Sequence, residues 1–558
     1  SKPVPLYLWD DETLTSSVDV NTVYPNAKIK MSDRYQDVDN KLLEAGVSYD
    51  HTFGGKHQVT GLLVANYQDY KNKYLNGVNN NLPGEYPETM GNTSSGTING
   101  DEYYSQRASL VGRATYGFDM RYFLEFSFRY DGSTRFAPEN RWGFFPTVSA
   151  SWVISNEKFF KKALPSNIIS QAKLRGSYGV LGDDGSVADF SYLMQYMFTA
   201  NAGYNIGSHW SPGISTVSGV YPNRDLAWGK SKDFNIGLDL GFWGNRFSVT
   251  AEYYERRRSN MVMLAPEYLF PPSTGTGGAV PSINLGEVRY RGWDLTFKHV
   301  NTVGDVKYNL TFNVSKTSDK VLDYGDESSL PPNLQRKGKS YMTWLLYEAD
   351  GLFKSYEEIQ AWPVDQDGYG NASLAPGDIK YKDQDGDGML TVNDKVYVRN
   401  SSYPEFNFGL ACGVQWRGLY LNAQFQGVTG YNQRMQEIYS LESSSLQRFQ
   451  QYHYTNSWTE DNPNAAYPRI KFVTKSDNNR LESTFWVRNC NFLRLKALTV
   501  GYRFQPKTLK KMRLTALDIA LQGGNLFTWS SLDNGVDPES LRGYPLSRTY
   551  GVSLNFGF

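Results

Sequence analysis

Apolar and polar residues alternate with a period of two along this chain, and the pattern recurs in many short segments. Segment 418–427 (GLYLNAQFQG) places leucine, alanine and phenylalanine on one face and tyrosine, asparagine and glutamine on the other. Segment 548–558 repeats the arrangement, with tyrosine, valine, leucine and phenylalanine opposite glycine, serine and asparagine. Side chains of a strand point to alternate faces, so this period predicts β-strands with one apolar face.

The pattern predicts an all-β fold of about fifteen strands. The predicted strands lie near 43–50, 57–68, 105–116, 121–130, 145–154, 172–181, 232–241, 246–256, 290–300, 306–315, 405–414, 418–427, 490–503, 514–527 and 548–558.

The connections between these strands alternate between short and long. The long loops run near 69–104, 182–231, 257–289, 316–404 and 428–489, and most of the others are turns of a few residues. Short turns at one rim and long loops at the other are typical of transmembrane antiparallel β-barrels, with the turns in the periplasm and the loops outside the cell. Segments 155–171 and 504–513 lie on the short-turn side, and each is long enough for a helical turn.

Composition agrees with a barrel but does not prove one. Aromatic residues make up 15% of the 558 residues, and such rings favour membrane interfaces and sugar-stacking surfaces. No apolar run approaches the roughly 18 residues that a spanning helix needs. The 57 basic and 57 acidic residues balance, which gives no reason to expect nucleic acid as a partner. Cys412 and Cys490 are interpreted as small apolar residues, with one distant disulfide left open.

An odd number of antiparallel strands cannot by itself close a barrel of even strand number. We therefore expect residues 43–558 to form the C-terminal part of a larger barrel, with 1–42 as an incoming loop or partial strand.

Several blocks of sequence resemble the SusC-like (SusC/RagA-type) TonB-dependent transporters of Bacteroidetes-type bacteria. They are RYDGSTRFAPENRWGFFPTVSASWVISNEKF (129–159), LRGSYGVLGD (174–183), FNIGLDLGFWGNRFSVTAEYYERRRSNMV (234–262), NLGEVRYRGWDLTF (284–297), GDIKYKDQDGDG (377–388), NFLRLKALTVGYRF (491–504) and GGNLFTWSSLDNGVDPE (523–539).

The resemblance implies an outer-membrane barrel of about 22 strands, of which this chain supplies about fifteen. It also implies an N-terminal plug and a TonB-binding segment, neither of which is visible in this sequence. Partners implied by the resemblance are TonB, a SusD-like lipoprotein over the extracellular mouth, and outer-membrane lipid. The implied function is TonB-dependent import of glycans, with import of oligopeptides as the alternative.

The sharpest local motif lies at 383–394. Asp383, Asp385, Asp387, Met389, Thr391 and Asp394 occupy positions 1, 3, 5, 7, 9 and 12 of an EF-hand-type loop, with Gly388 at position 6. This spacing predicts a structural Ca²⁺ site, and no other cofactor is expected. The alternative is a loop whose carboxylates accept hydrogen bonds from its own backbone.

Aromatic residues in the long loops are candidates for stacking on sugar rings. These are Trp210, Trp228, Trp362, Tyr431, Tyr439 and Trp458. Packing of the loops is the competing role for each of them. The segment from Asp131 to Phe136 (DGSTRF) is interpreted as a structural turn rather than a gate.

Nothing in the sequence indicates an enzyme. Five histidines are scattered without an H-E-x-x-H motif, and two near-matches to a phosphate-binding loop lack the leading glycine, with Arg224 and Asn333 in its place. A soluble or surface Ca²⁺-dependent glycan-binding β protein is the alternative from another class. It accounts for the Asp loop and the aromatics, and it leaves the one-sided long loops unexplained.

Overall fold

The computed structural model describes residues 7–10, 15–18, 31–79, 96–164, 167–194, 196–206, 209–216, 221–265, 269, 280–325, 330–399, 403–434, 455–471, 477–505, 509, 514–532, 536–541 and 546–558. Its main element is one antiparallel sheet of fifteen strands, ordered as they follow one another in the chain. The strands are β1 (Met31–Phe53), β2 (His57–Asn79), β3 (Gly96–Phe118), β4 (Tyr122–Ser133), β5 (Trp142–Val153), β6 (Ile169–Asp183), β7 (Gly229–Phe242), β8 (Phe247–Ser259), β9 (Glu287–Val303), β10 (Val306–Asp323), β11 (Phe406–Trp416), β12 (Leu419–Thr429), β13 (Phe492–Arg503), β14 (Ala516–Ser530) and β15 (Thr549–Gly557).

All fifteen predicted strands are confirmed, and their hydrogen-bonded register places the two kinds of side chain on opposite faces. Leu310 of β10 lies beside Cys412 of β11, which lies beside Ala423 of β12. One residue earlier or later on each strand, Asn309, Gly413 and Asn422 form the neighbouring row. We call the apolar side the outer face and the polar side the inner face.

The first three strands are longer than the apolar alternation predicts. β1 begins at Met31 rather than near residue 43, and β2 and β3 reduce the predicted loop 69–104 to residues 80–95. The ladder continues through polar pairs such as Lys73 and Glu102, and the Glu102 carboxylate also lies 2.7 Å from the ammonium group of Lys71. A hydrogen-bonded ladder with polar residues on both faces leaves no apolar signal, so the sequence pattern could not mark it.

The two rims of the sheet differ, as predicted. At the short-turn rim, neighbouring strands are joined by turns such as Gly54–Lys56 and Arg417–Gly418. The connection after β5 is longer and contains the helix α1 (Lys158–Ala163), which confirms a helical turn in 155–171. In the predicted connection 504–513, residues 506–508 and 510–513 lie outside the described part of the chain.

At the opposite, long-loop rim the connections carry small structures of their own. Paired strands there are Tyr196–Ile206 with His209–Thr216, Val262–Leu264 with Ser282–Asn284, Thr343–Tyr347 with Lys395–Arg399, Ala349–Leu352 with Ile379–Tyr381, and Asn432–Arg434 with Val487–Asn489. The remaining elements are the strand pair Tyr7–Asp10 and Thr15–Val18, the helix α2 (Tyr356–Ala361), and 3₁₀ turns at Pro138–Asn140, Ile154–Asn156, Pro332–Leu334, Val392–Asp394, Asn478–Arg480 and Thr484–Trp486. Within the described residues no helix is long and apolar enough to cross a membrane.

Candidate functional site

The inner face of the sheet is a wall of amide and hydroxyl groups. Its residues alternate along each strand with the apolar residues of the outer face. They include Ser149, Ser177, Asn235, Asn309, Asn313, Asn422, Gln424 and Gln426. Such groups both donate and accept hydrogen bonds and so bind uncharged polar ligands such as hydroxyl groups or peptide units.

Arginines on this wall are matched by carboxylates. Arg113 pairs with Glu125 at 2.7 Å, Arg129 with Asp131 at 3.0 Å, Arg175 with Asp239 at 3.2 Å and also with Glu252, and Arg256 with Asp233 at 2.9 Å. Each guanidinium therefore has a negative neighbour on the same or an adjacent strand. This part of the wall presents paired rather than free charge to the interior.

A cleft of about 630 Å³ opens on the inner wall toward the long-loop rim, between β3, β4, β5 and β6. Arg107, Arg113, Arg129, Asp184 and Trp228 are among the residues that line it. Its mixture of charged and apolar side chains and its position beside the long loops make it a candidate place for a ligand to enter the interior.

The DGSTRF turn has a structural role. The Arg135 guanidinium donates to the backbone oxygen of Asp184 at 2.9 Å and to the Asp189 carboxylate at 3.3 Å. The Ser133 hydroxyl donates to Asp184 at 2.9 Å, and Arg107 binds the same carboxylate with bonds of 2.9 and 2.8 Å. The turn is thereby fixed to the start of the long connection after β6.

Residues 330–399, 455–471 and 477–489 form a folded unit above the long-loop rim, which we call the loop lobe. Its core contains Tyr347, Leu352, Ile379, Tyr381, Tyr467 and Trp486. The sequence pattern predicted only long loops here. The lobe folds because apolar residues from distant segments bury one another. Backbone pairing joins the same segments, for example between Tyr347 and Ser483 and between Ala349 and Tyr381.

A buried carboxylate holds three segments of the lobe together. Asp378 is 0% exposed and accepts two hydrogen bonds from Arg469, of 2.8 and 3.1 Å. Lys471 lies 3.0 Å away, and the Asn479 amide donates at 2.8 Å. Burial would raise the pKa of Asp378, but the two cations outweigh it and hold that pKa below its usual value.

The structure brings three of the predicted Ca²⁺ ligands together. Carboxylate oxygens of Asp383, Asp385 and Asp387 all lie within 4.8 Å of one another. Gly388 has φ of 80°, the left-handed conformation that the sharp bend requires, and its N–H donates to Asp383 at 2.8 Å. Hard oxygen ligands at this spacing suit Ca²⁺.

The last two predicted ligands are used by the loop itself. Asp394 is fully buried, and its two oxygens accept from the N–H groups of Gln384 and Thr391, both at 2.7 Å. The Thr391 hydroxyl accepts from the N–H of Asn393 at 3.1 Å and caps the turn Val392–Asp394. Met389 forms a bridge with Asp365 of a neighbouring loop.

That neighbouring loop, residues 365–373, has a similar arrangement that sequence analysis did not single out. Asp367 accepts from the N–H groups of Tyr369, Asn371 and Ser373 at 2.8, 2.9 and 2.7 Å. Desolvation opposes ionisation, but these bonds and the Ser373 hydroxyl lower the pKa of Asp367 to about 2.

The lobe is expected to lose stability in acid. A carboxyl group whose pKa is lowered on folding stabilises the fold above its ordinary pKa of 3.8, and protonation near pH 2 removes that contribution. Thermal unfolding followed between pH 5 and pH 2 in EDTA should therefore show a falling midpoint below about pH 4, and Asp367→Asn should flatten the fall. An unchanged slope in the variant would contradict this role for Asp367.

The aromatic candidates fall into different environments. Trp228 is only 7% exposed, packs against Phe136 and Phe145, and donates to the Arg141 backbone at 3.0 Å, so it serves mainly as a core residue. Trp362 meets Phe353 edge-on and Trp458 packs against the lobe core.

The other three candidates differ. Tyr431 is half-buried, and burial raises the pKa of its hydroxyl. Trp210 lies on the strand His209–Thr216, but its side chain is outside the described part, and Tyr439 lies outside the described residues. The six rings are therefore not gathered into one described site, and their predicted ligand contacts stay predictions.

Three exposed rings in and beside the lobe were missed by sequence analysis. Tyr369 is 81% exposed, Tyr403 66% and Tyr356 60%. They have free ring faces of the kind that stack on sugars. Tyr369 stands between two glycines in an Asp/Gly-rich turn, which could have indicated an exposed ring.

The family model described as "TonB dependent receptor-like, beta-barrel" matches residues 6–424, well over half of the chain. The chain belongs to this family. Its members are outer-membrane proteins of the transporter and receptor class, so the outer face of this receptor meets lipid, the short-turn rim is periplasmic and the loop lobe is extracellular. A soluble glycan-binding protein does not fit this membership.

Curated relatives agree with the SusC-like resemblance and confirm it. TonB-dependent receptor P3 of Formosa agariphila is 26% identical over 564 residues, covering 94% of this chain and 53% of the relative. TonB-dependent receptor SusC of Bacteroides thetaiotaomicron is 26% identical over 496 residues, covering 81% and 44%. The chain thus spans about half the length of the curated relatives it matches.

A solved structure supports the fold. The structure titled "RagAB peptide importer in the 'open-open' state" superimposes with a TM-score of 0.73 at 22% identity, over 95% of this chain and 56% of that one.

The two cysteines report on the two environments of the receptor. Neither forms a disulfide; Cys412 lies in the outer-face row with Leu310 and Ala423, and Cys490 is fully buried directly after the lobe segment 477–489. Burial raises the pKa of the Cys490 thiol to about 12, which suppresses the reactive thiolate.

We expect a water-soluble maleimide to label neither thiol of the folded receptor in membranes. A membrane-soluble maleimide should also leave both thiols unlabelled, because the reactive thiolate forms neither in lipid nor in the protein interior, and both thiols should react in denaturant. Peptide mass spectrometry after labelling gives the result. Labelling of Cys490 before unfolding would contradict its burial.

Proposed function

We propose that this chain forms the wall and the extracellular chamber of a TonB-dependent importer. Its ligands are uncharged oligomers, and glycans are the class that we propose first. The carrying observation is the inner wall, where amides and hydroxyls lie among arginines already paired with carboxylates. A wall with paired charges favours neutral chains with many hydroxyl groups over strongly charged ones. The exposed tyrosines of the lobe support the same ligand class.

Oligopeptides are the second candidate ligand. The structural neighbour with the high TM-score is titled a peptide importer, and a peptide backbone uses the same hydrogen bonds as a sugar hydroxyl. In either case the residues of this chain bind and guide the ligand, and no bond is made or broken.

The proposal includes two partners. A SusD-like lipoprotein covers the extracellular mouth, and TonB acts through a plug and a TonB-binding segment that the family resemblance implies. The curated relative named SusC and the structure titled RagAB support this arrangement.

Native purification tests the proposal. The receptor is extracted from outer membranes in detergent, and co-eluting proteins and released small molecules are identified by mass spectrometry. We expect a SusD-like lipoprotein and oligosaccharide masses. If the released molecules have peptide masses, oligopeptides rather than glycans are the ligand. A receptor that co-purifies with neither a lipoprotein nor a ligand would overturn the proposal.

We also propose that Ca²⁺ binds Asp383, Asp385 and Asp387 and stiffens the lobe. A free Ca²⁺ concentration about 20-fold above Kd stabilises the folded lobe by about 2 kcal/mol. Thermal unfolding in Ca²⁺ should therefore occur at a higher temperature than in EDTA, and the double variant D385N/D387N should remove the difference. D350N, which changes an exposed acid elsewhere in the lobe, is the matched control. Equal unfolding of the wild type with and without Ca²⁺ would overturn the site.

A further inference from the structure

The periplasmic rim carries a basic helix directly beside the lipid-facing belt. Helix α1 follows β5 and contains Lys158, Lys161 and Lys162, all with exposed side chains. Among the described residues, none of these three ammonium groups forms an ion pair. The fold of the sheet does not require three unpaired positive charges on this short helix.

An aromatic row connects this helix to the outer face. The rings of Phe118, Tyr122, Trp152 and Phe159 follow one another, with successive centroid distances of 6.4, 6.3 and 6.4 Å. Tyr122 and Trp152 are neighbours on β4 and β5 and point outward with Leu124 and Ala150. Phe159, which is 57% exposed, therefore continues the lipid-facing surface beyond the end of the strands.

A buried carboxylate fixes the helix in this place. Glu157, just before α1, is 6% exposed and accepts from the Trp152 indole at 3.1 Å and from Arg121 at 3.0 Å. Arg121 also lies 3.0 Å from Asp119. The nearby acids are thus occupied by Arg121, and the charges of the three lysines are left for a partner outside the protein.

We propose that α1 lies in the periplasmic leaflet interface and binds the phosphate groups of anionic phospholipids. Phe159 inserts beside Trp152 among the acyl chains. Lys162, one turn after Phe159 on the same side of the helix, and Lys158 and Lys161 contact the headgroups. The occupant is a phospholipid because the short-turn rim faces the periplasmic leaflet, and the lysines are complementary to its phosphates. The inference does not depend on which ligand is imported.

Native mass spectrometry of the full receptor in detergent tests the site, with phosphatidylglycerol as the probe and phosphatidylcholine as the neutral reference. A basic residue near an anionic lipid surface contributes about fivefold in affinity. The triple variant K158Q/K161Q/K162Q should therefore retain phosphatidylglycerol at least about fivefold less strongly, with phosphatidylcholine unchanged. The variant K158R/K161R/K162R keeps the charge and should keep the binding.

The matched control removes the same number of charges at the other rim. K320Q/K339Q/K354Q alters three exposed lysines of the long-loop side and should leave phosphatidylglycerol retention unchanged. An equal loss in this control, or no loss in the α1 variant, would overturn the proposal.

Discussion

Replacement of Asp378 by alanine is expected to destabilise the loop lobe by about 3–5 kcal/mol, the cost of removing one partner from a buried ion pair. The substitution leaves Arg469 and Lys471 facing each other without their shared carboxylate, and it removes the acceptor of the Asn479 amide. The segments around residues 378, 469–471 and 479 would then lose the carboxylate that they share, and would be held together less tightly. The wall of the barrel should be unaffected, because none of its strands contributes to the network.

Limited proteolysis of the receptor in membranes measures this effect. The D378A variant should be cleaved within the lobe at protease concentrations that leave the wild type intact, while the strands remain protected. Asp350 provides the control, since it is an exposed acid on the strand Ala349–Leu352 and its replacement by alanine should change stability by less than about 0.5 kcal/mol. Equal resistance of D378A and wild type would show that the lobe does not depend on this carboxylate.

Replacement of Leu310 by arginine is expected to cost about 2–4 kcal/mol, the penalty for a cation on the lipid face near the middle of a membrane barrel. Leu310 is 42% exposed on the outer face of β10, five positions after the turn residue Asp305. Its neighbours across the ladder are His299 and Cys412, which offer no carboxylate to pair with a new charge.

The adjacent residue gives a sharp comparison. Asn309 points to the inner face, so N309R introduces the same side chain one position away and should cost close to nothing. Both variants can be folded into phospholipid vesicles and unfolded in urea, with the difference in unfolding free energy as the result. Similar losses for the two variants would mean that the faces of the sheet are assigned wrongly.

The wall could be predicted because its physics is local. In β12, each residue from Leu419 to Gln426 shows by its own polarity which face it occupies, and the ladder to β11 follows from the short turn between the two strands. The same reasoning predicted β1 too short, because polar residues such as Asp37 and Asp39 continue the strand beyond its apolar part. Hydrogen-bonded strands need no apolar face once both sides are in water.

The lobe could not be predicted, because its contacts join segments far apart in the chain. Asp378 and Arg469 are 91 positions apart, and Gln366 reaches Asn478 across 112. The strands involved are three to five residues long, too short for a period to be measured. The Asp loop was found because its ligands are close in sequence, whereas the use of Asp394 by backbone N–H groups depends on the folded path of the loop.

The positions of the two free thiols have a consequence for biogenesis. Cys412 lies on the lipid-facing side and Cys490 is buried in the folded protein, so each is protected only in the finished receptor. An outer-membrane protein crosses the oxidising periplasm before it assembles, and there an unfolded chain exposes both thiols to oxidants. Insertion that is faster than disulfide formation keeps both thiols reduced, whereas delayed assembly would allow a cross-linked form that cannot place Cys412 in the bilayer.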